Sequence, residues 1–209
     1  TRKYTSVTFR ADKRMHESWQ MLASYTWSRL KGNYEGYYRR DNGQSDPFIT
    51  SLYDFPILND LDVWGNHVRP DFLPNDRTHV FNFYGAYLWG NKLNLGAGFR
   101  VASGNPISRM GYNDVYGNAG EILLVPRTTD GRGATTTQLD LHADYPISLG
   151  SGKLSLIGDV FNLFNRQAGV DYDTDYEISS RGGDPNPDFA KAYTFQAPRQ
   201  FRFAARYSF

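Results

Sequence analysis

The sequence contains no cysteine. Disulfide scaffolds, thiolate metal sites and cysteine nucleophiles are therefore all excluded. Long apolar runs are missing too. The longest are short pieces such as residues 122–125, "ILLV", far below the roughly 18–20 residues that a membrane-spanning helix needs. Nor is either sign of charge in excess. The 23 basic and 22 acidic residues leave a net +1 and are well mixed, so no basic stripe argues for nucleic acid. The first residues, "TRKYTSVTFRADKR", have no apolar segment of the signal-peptide kind and already read as a strand. A spanning helix is thus excluded, whereas a spanning β-barrel is not.

What the chain does have is aromatics: 15 Tyr, 14 Phe and 4 Trp among 209 residues. Its mean hydropathy is nevertheless that of a polar chain. Together these suit a sheet that is aromatic on one face and hydrated on the other. The closing stretch carries the pattern most clearly. Phe201, Phe203, Ala205, Tyr207 and Phe209 alternate with Gln200, Arg202, Ala204, Arg206 and Ser208, the period of a strand with one apolar and one polar face. In a soluble sandwich the apolar face would meet a second sheet, and in a membrane barrel it would meet lipid.

Seven alternating segments follow from the same reading, over about 4–12, 18–30, 78–89, 92–103, 136–147, 153–163 and 200–209. They run to about 9–12 residues, the length of a tilted membrane strand rather than of an average soluble one. Their connections alternate. Those at 13–17 ("KRMHE"), 90–91 ("GN") and 148–152 ("SLGSG") are short, and those at about 31–77, 104–135 and 164–198 are long. This is the rhythm of an up-and-down barrel with periplasmic turns and extracellular loops, and a Greek-key sandwich has no reason to keep it. Trp19, Trp89, Tyr145 and Tyr207 then fall near the periplasmic ends and Tyr25 and Trp27 near the outer end, where interfacial girdles sit. Arg100, Gln138, Asp140, His142, Arg202 and Arg206 are predicted to face the lumen. In the sixth segment Leu154, Leu156 and Val160 share a phase that Ile157, Phe161 and Leu163 break, so a bulge is expected near Gly158.

Four stretches, "SWQMLASYTWSRLKG" at 18–32, "VASGNPIS" at 101–108, "GDVFNLFNRQ" at 158–167 and "APRQFRFAARYSF" at 197–209, resemble the C-terminal barrel region of TonB-dependent outer-membrane transporters. The subgroup they are most similar to is the Oar-like receptors, which carry a carboxypeptidase-regulatory-like domain. The resemblance implies an all-β, antiparallel transmembrane barrel of about 22 strands, set in the outer membrane of a Gram-negative bacterium, with an N-terminal plug in its lumen and a periplasmic motif that engages TonB. Neither plug nor motif lies in these residues. Seven strands do not close a barrel in the usual even-stranded way, and an open edge in lipid leaves backbone groups unsatisfied. Residues 1–209 are therefore expected to be the C-terminal part of one barrel domain. The implied function is active import of a siderophore, cobalamin or oligosaccharide-type ligand, with lipid, plug, TonB and the outer-membrane assembly machinery as partners. The terminal pattern of Phe201, Phe203, Tyr207 and Phe209 is similar to the signal that machinery reads. The alternatives are a small self-standing porin or adhesin barrel and a soluble carbohydrate-binding sandwich.

Site chemistry is sparse. Asp171, Asp173, Asp175 and Glu177 alternate in an outer loop and form a calcium candidate, against the reading of a solvated acidic loop, since the glycine and distant bidentate Glu of an EF-hand loop are missing. His16, His67, His79 and His142 show no metal-ligand spacing. "LGSG" at 149–152 comes near a nucleophile-elbow signature without matching it, so no enzyme and no cofactor is expected. Tyr37, Tyr38, Arg39, Arg40 and Trp64, in the longest loop, are the ligand-contact candidates, because loops on a rigid scaffold carry binding.

Overall fold

The computed structural model describes residues 2–32, 38, 40–41, 43, 71–90, 92–114, 117–180, 182–183 and 185–209. Among them every regular element is a strand. Seven long ones form one antiparallel sheet, each bonded to the next in sequence: β1 (Arg2–His16), β2 (Trp19–Gly32), β4 (His79–Trp89), β5 (Leu93–Ala102), β8 (Thr136–Leu149), β9 (Gly152–Phe161) and β12 (Gln200–Ser208). The long connections carry short strands of their own. β3 (Asp71–Phe72) pairs with the end of β2, β6 (Met110–Asn113) with β7 (Asn118–Leu123), and β10 (Gly169–Tyr172) with β11 (Ala192–Phe195).

Register carries the alternation across the whole sheet. One line of directly paired residues runs Phe9, Tyr25, Phe81 and Val101, and another Leu95, Ala143, Gly158 and Phe203. One rung along, on the opposite face, Arg10, Ser24, Asn82, Arg100 and Gln138 line up. A strand has a side-chain period of two, so this register gathers apolar residues on one face and polar ones on the other. No second sheet covers the apolar face among the described residues: Phe203 is 82% exposed and Phe9 67%. From His79 to Trp89 the strand runs about 33 Å. At a tilt of about 40° this spans about 25 Å, the height of a barrel's apolar band.

The short connections all lie at one end, as expected, with one correction. The first turn is not residues 13–17. β1 continues to His16 through a register shift between Lys13 and His16, and the turn is Glu17–Ser18 alone, both with positive φ (50° and 70°). Two left-handed residues twist a two-residue turn to match its flanking strands, so the strands pair right up to it. The expected bulge at Gly158 is also absent. β9 pairs without a shift to both β8 and β12, which leaves Ile157 and Phe161 on the polar face, opposite Asp144 and Gln200.

The buried core sits at the other end, among the long connections. Leu73, Asp76, Met110, Ser108 and Asn113 are all at most 1% exposed.

Candidate functional site

The three long connections converge above the sheet, and three polar junctions hold them. The first is Asp76, whose side chain is fully buried. The Leu30 backbone N–H donates to its Oδ1 at 2.6 Å and Arg132 Nη2 to its Oδ2 at 2.7 Å, so one carboxylate ties the end of β2 to the second long connection. Asn105 Nδ2 adds bonds to the carbonyls of Pro74 and Asp76 at 3.0 and 3.2 Å.

The second junction is Asp41 with Arg127, an ion pair at 2.8 Å with both side chains 3% exposed. Ser108 Oγ donates to Asp41 at 2.8 Å and accepts from Arg127 Nε at 2.9 Å, and Thr174 Oγ1 donates to the Asp41 carbonyl at 2.6 Å. Ser108, Arg127 and Thr174 thus meet at Asp41, the first two at its buried carboxylate and the third at its backbone carbonyl, so all three connections are joined there. Buried charges need this pairing, because an isolated one costs several kcal/mol.

The third is a backbone zipper between the second and third connections. Met110 N–H donates to the Thr174 carbonyl and Tyr176 N–H to the Met110 carbonyl, both at 2.8 Å. Buried Glu177 closes it, accepting from the Tyr112 and Gly182 N–H groups at 3.1 Å each. Arg109 pairs with Asp130 and stacks over Tyr176, 4.9 Å from the ring centre. Donating to the Asp130 carboxylate holds the Arg109 guanidinium above the ordinary arginine value. Arg77 goes the other way, lowered by burial and then by the positive charge of Arg40 and Arg100.

The motif "FNLFN" has a structural job at the same end. Asn162 and Asn165 both adopt positive φ (51° and 52°), a conformation Asn tolerates better than most residues. Asn162 Nδ2 donates to the carbonyls of Arg166 and Ala197 at 2.9 and 2.7 Å, and Asn165 Oδ1 accepts from the Arg199 N–H at 2.9 Å. The two asparagines therefore hook the exit of β9 onto the entry of β12.

The polar face of the sheet carries one more cluster. His142 Nδ1 lies 2.7 Å from Asp159 Oδ1, and Arg202 Nε donates to Asp159 Oδ2 at 2.9 Å. Nearby, Gln138 donates to Asp140. Arg202, His142, Gln138 and Asp140 belong to the predicted lumenal set, whereas Asp159, the centre of the cluster, was missed. Its phase within "GDVFNLFN" could have found it.

The acidic run does not gather round one point. Asp171 pairs with Arg40, Asp173 accepts from Asn186 at 3.0 Å, and Glu177 closes the zipper. The Asp175 carbonyl accepts from the same Asn186 at 2.8 Å. Among the described residues no three His, Asp or Glu side chains are placed to hold a metal ion. Of the loop candidates, Tyr37, Arg39 and Trp64 lie outside the described residues. Arg40 is tied to Asp171 and to the Val170 carbonyl, and Tyr38 is 52% exposed.

On the apolar face, Trp19 pairs with Tyr87 at the short-turn end and stacks under Lys13 Nζ at 3.8 Å. Trp89 and Tyr145 are exposed at that same end, 63% and 44%. At the other end Tyr25 OH bonds His79 at 2.8 Å, and Arg29 lies over Trp27. Phe201, Phe203, Tyr207 and Phe209 stand exposed along β12 and its end.

No protein-family model matches the sequence. A curated relative, the TonB-dependent transporter Oar of Myxococcus xanthus, is 32% identical over 247 aligned positions that take in 100% of this chain and 22% of the relative. Over its whole length the chain is thus similar to part of a TonB-dependent transporter. Solved receptors share its fold. The ferric-catecholate import receptor Fiu of Escherichia coli superposes with a TM-score of 0.54 at 13% identity, over 98% of this chain and 20% of its own. The ferripyoverdine receptor of Pseudomonas aeruginosa gives 0.51 at 17%, over 98% and 19%. The siderophore receptor PiuA of Acinetobacter baumannii gives 0.51 at 16%, over 99% and 22%. The chain thus spans about a fifth of the length of the receptors it matches. In that setting the exposed apolar face is the membrane face of an outer-membrane barrel, the polar face is its lumenal side, and the three-loop junction is extracellular.

Proposed function

We propose that this chain is the C-terminal barrel portion of a TonB-dependent outer-membrane transporter, whose loops help cap and open a ligand path. The observation that carries the reading is the whole-chain similarity to a transporter, which includes both the strands and the long connections. The rest of a longer chain would supply the strands that close the barrel between β1 and β12, a plug for the lumen, and the segment that TonB engages. Asp159, His142 and Arg202 would then face that plug. The terminal aromatics from Phe201 to Phe209 would serve as the signal read by the outer-membrane assembly machinery.

The cargo is of the siderophore, cobalamin or oligosaccharide type. Half-exposed Tyr38 is the described residue best placed to touch it, whereas Arg40 serves chiefly to fix its own loop through Asp171. The test is uptake of a labelled ferric siderophore, cyanocobalamin and a maltodextrin by cells carrying the full-length receptor, with and without TonB. Uptake of one of them that disappears without TonB is the expected result. Uptake indifferent to TonB would overturn the reading in favour of a passive porin.

A further inference from the structure

The membrane face carries a depression. On its short-turn half lies a groove of about 600 Å³, lined among others by Met21, Phe83, Gly85, Ala97, Ala143 and Gly158. The register explains it. Gly85 pairs with Ala97 and Ala143 with Gly158, so four small residues on four neighbouring strands form a floor, and Trp19, Tyr87, Leu95 and Leu141 stand round them as walls. All the lining comes from β2, β4, β5, β8 and β9, the middle of the sheet. Strands added at either edge therefore leave the groove open to the membrane.

One end of the groove carries a positive charge. Lys13 pairs in register with Met21, and its Nζ sits 3.8 Å over the ring of Trp19, which itself lines the groove. That ammonium donates to the carbonyls of His16 and Trp19 at 2.8 and 3.1 Å. An ammonium has three donors, so one remains. Among the described residues no carboxylate pairs with Lys13. The charge lies beside the two-residue turn at Glu17–Ser18, the level of the periplasmic headgroups.

From this placement we propose that the groove is a specific lipid site, holding one acyl chain of an anionic phospholipid from the periplasmic leaflet with its phosphate against Lys13. The apolar walls and the single cation match that chemistry: a chain to fill a dry slot, and a phosphate for a donor that snorkels to the interface. The inference rests on the outer-membrane placement of the sheet and is independent of which cargo, if any, is imported.

Native mass spectrometry of the full-length receptor, delipidated in detergent and supplied with dioleoyl phosphatidylglycerol or dioleoyl phosphatidylethanolamine, tests it. The parent is expected to retain one phosphatidylglycerol. Ala143→Leu, which raises the floor, lowers that retention about tenfold, the equivalent of roughly two methylene contacts. Lys13→Gln lowers it about fivefold, the effect of one cation at an anionic surface, and leaves phosphatidylethanolamine retention unchanged. Ala205→Leu, on the same face but outside the groove, binds as the parent does. Heat-modifiable migration on a gel reports folding of each variant. If Ala143→Leu does not fold, Gly158→Val replaces it, because a Cβ there meets only the Phe203 ring at 3.8 Å. Equal retention by the parent and the groove-filled variant overturns the site. So does equal retention of both lipids by the parent, or a second copy of the receptor bound in place of lipid. Loss of uptake with lipid retention intact would count against the transport reading alone.

Discussion

The sheet and the loop junction of this chain solve burial in opposite ways. Along the seven long strands the large apolar side chains are the exposed ones, and among the long connections the most deeply buried side chains include acids and bases. The difference follows from what each region meets. A face bathed in hydrocarbon needs no protein partner, and its backbone is satisfied by the ladder. The loops stand in water, where irregular backbone must find its own partners, so they build a small water-excluding core around Asp76 and the Asp41–Arg127 pair.

That contrast can be broken most sharply at Phe203. Phe203→Lys puts a charge on the membrane face in mid-strand and should cost about 2–4 kcal/mol of barrel stability in lipid vesicles. Ile157→Lys, the neighbouring rung on the lumenal face, should cost less than about 1 kcal/mol. Urea titration of the two full-length variants compares them, and equal losses would mean that the faces are wrongly assigned.

Asp76→Ala should be next. It strands Arg132 and the Leu30 N–H, for about 3 kcal/mol locally. Limited proteolysis should cut the long connections faster while the strands stay protected; simultaneous loss of strand protection would show that loops and sheet are one cooperative unit.

Asn162→Ala loses two donated bonds and strains a positive φ, for about 2 kcal/mol. Asn162→Gly relieves the strain and should recover about half. Hydrogen exchange at the β9–β12 ladder measures both. Smallest is Lys191→Ala at the loop surface, whose partner Asp188 and itself are about two-thirds exposed. It should shift stability by under about 0.5 kcal/mol, and a shift as large as that of Asp76→Ala would undo the distinction between buried and solvated ion pairs.

How much of this was legible in the sequence divides along the same line. Strands announce themselves through alternation, so all seven were readable, and β12 was readable to within a residue. The turn after β1 was misplaced because Glu17 and Ser18 carry none of the glycine or asparagine that usually marks positive φ. Ile157 suggested a bulge because an apolar residue on a lumenal face mimics a phase change. The loop junction was invisible for a different reason: Asp41 and Arg127 lie 86 residues apart, and Asp76 and Arg132 lie 56 apart, so no local pattern links them. The acidic alternation from Asp171 to Glu177 was visible, and its meaning was not. Asp171 and Glu177 staple their loop to its neighbours, through Arg40 and the Tyr112 N–H, whereas Asp173 accepts from Asn186 within its own loop.

One consequence of the strand order concerns how the sheet forms. Every long strand pairs with the one before it in the chain, so no ladder waits for a distant segment to arrive. Contacts of low sequence separation favour fast assembly. The long connections slow it little, since doubling a flexible loop adds only about 0.6 kcal/mol to its closure. The sheet can therefore grow hairpin by hairpin from either end, each finished strand templating the next, and long outer loops can vary in length without changing that order.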